Sequence, residues 1–326
     1  MKKNIVATSC LLAAIFLAAE TLFLSSALAQ DGKPSTVGTN PFRVAFDGAN
    51  IWVTSYGSNS VTKLRASDGA VQGTFTVGTS PIGVAFDGTN IWVANYGSNN
   101  VTKLRASDGA IEGTFEVTFA PYGAAFDGTN IWVTTYSTNN VTKVLASDGN
   151  AEGKYTVGLQ PHGVAFDGTN IWVTNQGSNN VTKLLASDGV VQGTFAVGKD
   201  PFGVAFDGTH IWVANQGANN VTKLLASNGA VQGTFAVGKN PFGVAFDGTH
   251  IWVANFGGNS VTKLRASDGA VQGTFAVGAG PVGVAFDGTH VWVTNQSSKN
   301  VTKLRASDGA VQGTFAVGSG SMASGH

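Results

Sequence analysis

Apolar and polar positions from residue 41 onward fall into short runs separated by turn residues. Phe42–Phe46 reads as a first strand, Asn50–Ser55 as a second, Val61–Ala66 as a third and Val71–Val77 as a fourth. Asp47-Gly48 and Asp68-Gly69 mark tight turns between them, because both residue types tolerate the positive φ such turns require, and Gly57–Ser60 forms a loop. The second strand carries Ile51-Trp52-Val53 without interruption, as expected of a strand covered on both faces. The fourth alternates Val71, Gly73, Phe75 and Val77 with Gln72, Thr74 and Thr76, as expected of an outer strand with one wet face. Lys63 and Arg65 place the third strand near the rim.

This four-strand unit recurs every 40 residues. Pro41, Pro81, Pro121, Pro161, Pro201, Pro241 and Pro281 keep the period, and so do Trp52, Trp92, Trp132, Trp172, Trp212, Trp252 and Trp292, which are all the tryptophans of the chain. Repeats of one kind stack into one continuous body, so the 326 residues do not divide into the two domains their length suggests. The fold predicted for residues 41–318 is all-β, a seven-bladed β-propeller of four-stranded antiparallel blades. A solenoid fits less well, since neither end carries a capping repeat. Burying a tryptophan removes roughly 150–250 Å² from water, so blade packing accounts for their periodicity without a ligand. Residues 30–40 are expected to help close the ring through Ser35–Gly38, and residues 319–326 abandon the pattern as a disordered tail.

Residues 1–29 differ in kind: Lys2 and Lys3, an apolar stretch around Leu11–Ala19, and Ala27-Leu28-Ala29 before Gln30 read as a signal peptide cleaved after Ala29. An uncleaved anchor is the weaker reading, because Glu20 interrupts the apolar run. The mature chain would be periplasmic or extracellular, without a membrane span. The one cysteine, Cys10, lies in the leader, which excludes a disulfide or a thiol nucleophile from the mature chain. Hydrophobic residues make up 43% and charged residues 12%, which excludes disorder. Taking Lys2, Lys3 and Glu20 from 19 basic and 19 acidic residues leaves 17 and 18, a balance that offers no footprint for nucleic acid.

Variation among the seven copies collects in two places, the connections from fourth strand to first (D–A) and from second to third (B–C). Gln160 and Asp200 precede their prolines, while Phe42, Tyr122, His162, Phe202 and Phe242 follow theirs, as do Ile82 and Val282. Tyr56, Tyr96, Tyr136, Gln176, Gln216 and Phe256 stand at the B–C loops. Up-and-down strands alternate their connections between two ends, so all these residues are expected on one face. A loop-built face on a rigid scaffold is the default place for a ligand.

Residues 161–175, Pro-His-Gly-Val-Ala-Phe-Asp-Gly-Thr-Asn-Ile-Trp-Val-Thr-Asn, resemble repeats of the virginiamycin B lyase-like and YVTN/NHL-type propellers. The resemblance to the lyases implies streptogramin ring opening by a histidine after the blade proline in two blades, one within Glu-Pro-His. It also implies a glutamate after a second strand and a bound Mg²⁺. Here Gln160-Pro161-His162 alone carries the histidine, making His162 the one catalytic candidate, and Tyr, Gln or Phe stands where the glutamate would. The remaining glutamates, Glu112, Glu116 and Glu152, fall in or beside fourth strands. Asp200 and His162, in neighbouring blades, would serve as base and orienter only if they touched.

His210, His250 and His290 recur at one turn position, which is Asn in the other four blades, so an exposed turn explains them better than a metal site. Asn-Val-Thr from Asn100, Asn140, Asn180, Asn220 and Asn300 matches a glycosylation sequon but reads as a turn end followed by a strand threonine. The leading expectation is a monomeric, non-catalytic module that binds a protein, peptide or glycan through the D–A and B–C loop face without a cofactor. The alternative is a lyase-like enzyme with an incomplete catalytic set, and with Mg²⁺.

Overall fold

The computed structural model describes residues 39–317. The leader at 1–29, the Ser35–Gly38 closure and the tail at 319–326 lie outside the described residues. Seven separate sheets each contain four strands in sequence order, every neighbouring pair antiparallel. In the first blade these are strand A (Pro41–Phe46), strand B (Asn50–Ser55), strand C (Ser60–Arg65) and strand D (Val71–Thr76). In the last they are Pro281–Phe286, His290–Asn295, Asn300–Arg305 and Val311–Ala316. Each boundary falls within a residue or so of the one the apolar pattern predicts.

The ring closes on itself, which disposes of the solenoid. Thr294 Oγ1 of the last blade donates to the Phe42 carbonyl of the first at 2.7 Å, as Thr174 does to Phe202 between neighbouring blades at 2.7 Å. Trp292 and Val301 of the last blade pack with Ile51, Val53 and Leu64 of the first. Closure therefore uses the ordinary blade-to-blade contact, with no strand exchanged among the described residues.

That contact is the core. Each tryptophan is fully buried and packs on the Ile, Val and Leu of the following blade, as Trp52 does on Ile91, Val93 and Leu104. Its indole N–H would be unsatisfied there without a partner. Asp47 Oδ2 accepts it at 2.7 Å, and Oδ1 of the same carboxylate accepts the backbone N–H of Ala49 and Asn50. One aspartate thus makes the A–B turn and anchors the tryptophan, in all seven blades. The Asp207 carboxyl stays below the usual carboxylate range: burial pushes it up, but the Trp212 and backbone N–H bonds, with His210 nearby, outweigh it.

Strand C departs from its predicted place near the rim. Lys63 is 8% exposed; its Nζ donates to the carbonyls of Ala106 at 2.7 Å and Ser107 at 3.0 Å in the next blade. It also stands 5.3 Å from the Trp52 ring centroid, within cation–π range. The lysine stem is apolar and long enough to cross the interface, so a polar residue type here links blades rather than facing water. Lys303 closes the ring in the same way on Ala66 and Ser67. Arg65 is exposed, as the pattern implied. The alternation of strand D holds at Phe75, which stacks on Trp52 at 5.6 Å, but fails at Val71, which is 54% exposed where the pairing with strand C shifts register between Lys63–Gly73 and Leu64–Val71.

Candidate functional site

The D–A connections and B–C loops meet at one end. Tyr56 N–H donates to the Asn40 carbonyl at 3.0 Å and Gly57 N–H to that of Thr39 at 2.9 Å, tying each B–C loop to the connection entering its own blade. Asn59, in the left-handed region at φ 53°, offers Oδ1 to the N–H of Ser80 at 2.9 Å, which ties that loop to the next blade. Gln160 and Asp200 sit at the pre-proline position with φ 54° and 52°, and their carbonyls accept the N–H of Gln176 and Gln216. The predicted face residues are thereby gathered onto one side of the ring.

The side chains after the prolines turn toward the axis and fill it. Phe42, Ile82, Tyr122, Phe202 and Val282 form one buried cluster, with Phe242 against it. Tyr122 stands edge-on to Phe42 at 6.0 Å and to Phe202 at 5.8 Å, and Phe202 lies 4.3 Å from Phe242. His162 completes this plug, 4.3 Å from Tyr122 and 4.1 Å from Phe202 between centroids. Burial pushes the Tyr122 hydroxyl well above the usual phenol range.

Over one side of the plug, Tyr56, Tyr96, Tyr136 and Gln176 of the first four blades stand around a pocket of about 320 Å³, floored by Phe42, Ile82, Tyr122 and His162. Gln216 lies outside that lining, and Phe256 packs 5.2 Å from Phe242 on the other side. The pocket is a half-open, ring-walled cup without a carboxylate.

His162 is 4% exposed. Its Nε2 lies 2.8 Å from Gln176 Oε1, an arrangement that places the ring proton on Nε2, and Nδ1 has no partner among the described residues. Burial lowers its pKa to about 4; the Gln176 bond opposes the shift and the Arg43 charge adds to it. No hydrogen bond or ion pair joins His162 to Asp200 among the described residues, so the base and orienter considered from the sequence do not form a pair. An imidazole titrating so low is a weak general base near neutrality. The donor set also fails to fit Mg²⁺, which needs oxygen ligands including one or two carboxylates, and the pocket lining supplies none. His210, His250 and His290 each face the aspartate of their own turn, at 3.2, 3.3 and 3.5 Å, and do not converge.

Sequence reasoning passed over Arg43. The same strand A position is glycine in the other six blades, Gly83, Gly123, Gly163, Gly203, Gly243 and Gly283. The need for glycine is steric: a Cβ on Gly203 would run into the Phe242 carbonyl of the adjoining blade. Arg43 lines an axial channel of about 120 Å³ beneath the plug, together with four of these glycines, Gly83, Gly123, Gly163 and Gly283, and small apolar residues of strand A such as Val84 and Ala124. The signal is legible in the sequence as the one non-glycine among the seven copies of that strand A position.

No family model matches the chain, and no curated protein does. Solved structures do resemble it. A Kuenenia stuttgartiensis hydrazine synthase structure superposes with a TM-score of 0.75 at 20% identity, covering 86% of this chain and 99% of that one. A streptogramin B lyase structure does so at 0.70 and 19%, covering 84% and 94%. A functionally unknown protein from Desulfotomaculum acetoxidans DSM 771 gives 0.69 and 16%, covering 82% and 96%. The chain is a seven-bladed β-propeller. At these identities the likeness is one of fold, and function has to be argued from the site.

Proposed function

We propose that this propeller is an exported, non-catalytic binding module that takes part of a protein, peptide or glycan into the tyrosine-walled pocket of the D–A and B–C loop face. The observation that carries this reading is the pocket itself: about 320 Å³, concave, lined by four tyrosines with His162 and Gln176, and held by loops hydrogen-bonded to each other. Its volume suits one sugar ring or one large side chain, and ring faces with hydroxyl and amide groups at their edges suit either. Among the described residues no helix is long and apolar enough to cross a membrane. No cofactor is needed for such binding.

Screening the purified protein on glycan and peptide arrays tests the reading. Wild type is expected to retain a ligand class, and Tyr136→Ala or Gln176→Ala to weaken its binding tenfold or more without loss of fold. No binding on either array, or binding indifferent to both substitutions, would reject it.

The likeness to the streptogramin B lyase structure and the position of His162 favour a second reading, ring opening of a streptogramin. Against it stand the low pKa of His162, the commitment of its Nε2 to Gln176 and the lack of a carboxylate in the pocket. Incubating wild type with a streptogramin and Mg²⁺ decides between them: the binder leaves the substrate cyclic.

A further inference from the structure

The axial channel on the other side of the plug is a separate cavity, and its chemistry is that of an anion site. The chain has five arginines. Arg65, Arg105, Arg265 and Arg305 are exposed, and each is ion-paired to an aspartate three residues on. Arg43 is partly buried, and among the described residues its guanidinium has neither an ion pair nor a hydrogen bond. Its guanidinium carbon lies 5.7 Å from the centroid of Phe202, against the underside of the plug. Burial lowers its pKa, a sign that the charge is short of both water and a counter-charge. No acid lines the channel.

A desolvated cation with free planar donors is unfavourable unless an acceptor completes it, and a guanidinium matches an oxyanion through two parallel N–H···O bonds. The channel holds about 120 Å³, the liquid volume of about four waters. That is room for a carboxylate or a phosphate group and too little for a sugar ring. Since glycine occupies the other six positions, Arg43 is the one side chain that projects into the channel from this level, and it determines what the channel accepts. We infer that the axial channel binds a compact oxyanion, a carboxylate or phosphate group, on the Arg43 guanidinium. This site is independent of the loop-face pocket and stands or falls separately.

The test is a set of thermal melts and calorimetric titrations with acetate and with inorganic phosphate, at constant ionic strength so that general screening cancels. Wild type is compared with Arg43→Gly, which installs the residue of the other six blades and so preserves the fold, with Arg43→Lys, and with Tyr136→Ala. At least one anion is expected to raise the wild-type melting temperature saturably. Arg43→Gly is expected to lose the affinity at least tenfold, Arg43→Lys to lose part of it, and Tyr136→Ala to keep it. A response to acetate alone identifies a carboxylate ligand, one to phosphate alone a phosphoryl ligand. If neither anion stabilises wild type, or if Arg43→Gly responds as wild type does, the proposal is overturned. Because Tyr136→Ala tests the other pocket, a failure here leaves the loop-face reading intact.

Discussion

The walls between blades and the plug across the axis are both packed from one position per repeat, yet they obey opposite rules. Each wall uses the same tryptophan, aspartate and lysine in all seven copies, with Lys Nζ 5.1–5.8 Å from the Trp centroid throughout. The seven plug positions hold five residue types, Phe, Ile, Tyr, His and Val. The difference follows from symmetry. Seven walls are seven separate, equivalent places, so one solution serves them all. The plug is a single place into which seven side chains converge, and seven identical large rings cannot fill one narrow axis at native density. Part of the variation after the prolines is therefore set by packing, and the residues free to answer to a ligand are those above the plug, at the B–C loops.

The comparison breaks most sharply under truncation. Trp172→Ala removes a fully buried indole and strands the Asp167 acceptor, so a loss of about 3–5 kcal/mol is expected in urea unfolding. Phe202→Ile, which installs the residue type of Ile82 in the plug, is expected to cost less than about 1.5 kcal/mol, because the neighbouring rings can repack around a hydrophobic swap. Equal losses at the two sites would mean that the plug is as rigidly specified as the walls.

A pH titration reaches the plug through His162. Its pKa is about 4 in the folded protein, against about 6.5 in an unfolded chain. Between these values the unfolded state binds a proton that the folded state refuses, so the His162 contribution is fully present above pH ~6.5 and is lost as pH falls toward ~4. The expected loss is on the order of 2–3 kcal/mol over that window. His162→Phe, which installs the residue type of Phe202, should flatten this part of the profile, measured as melting temperature against pH. A slope that survives the substitution would place its origin in another group.

These two regions were also unequally legible. Periodic Pro and Trp, with Asp-Gly turns, specify the blades and their number, because each signal is local and repeated seven times. Lys63 was misplaced near the rim because its partners, the carbonyls of Ala106 and Ser107, lie in another blade, 43 and 44 residues away, where no local pattern points. The second task of Asp47, accepting the Trp52 N–H, is equally hidden behind its obvious task in the turn. On the loop face the residue set could be read from the differences among copies. Which members are buried in the plug and which wall the pocket depends on the direction of strand A, and that needed coordinates.

The smallest expected effect separates the backbone of the loop face from its side chains. The pre-proline residue adopts a positive φ in every blade, from 51° at Asn240 to 65° at Gly280. Asn, Asp and Gly accept this left-handed conformation readily, whereas Ala120, at φ 58°, has neither a glycine's freedom nor a side chain able to bond locally. Left-handed backbone costs about 1–2 kcal/mol for an L-residue, and the extra unfolded-state entropy of glycine returns part of that, so Ala120→Gly is expected to stabilise by about 0.5–1 kcal/mol. Gly280→Ala should lose more than this, because its new Cβ would also press on Ser297 Oγ at 2.5 Å. Thermal melts of both variants check the pair. A gain at 120 with a loss at 280 would show that the face rests on one backbone geometry held against local preference, leaving its side chains free to differ. No gain at 120 would mean that the neighbouring bond from Ala120 N–H to Asn99 Oδ1, at 2.9 Å, already absorbs the strain.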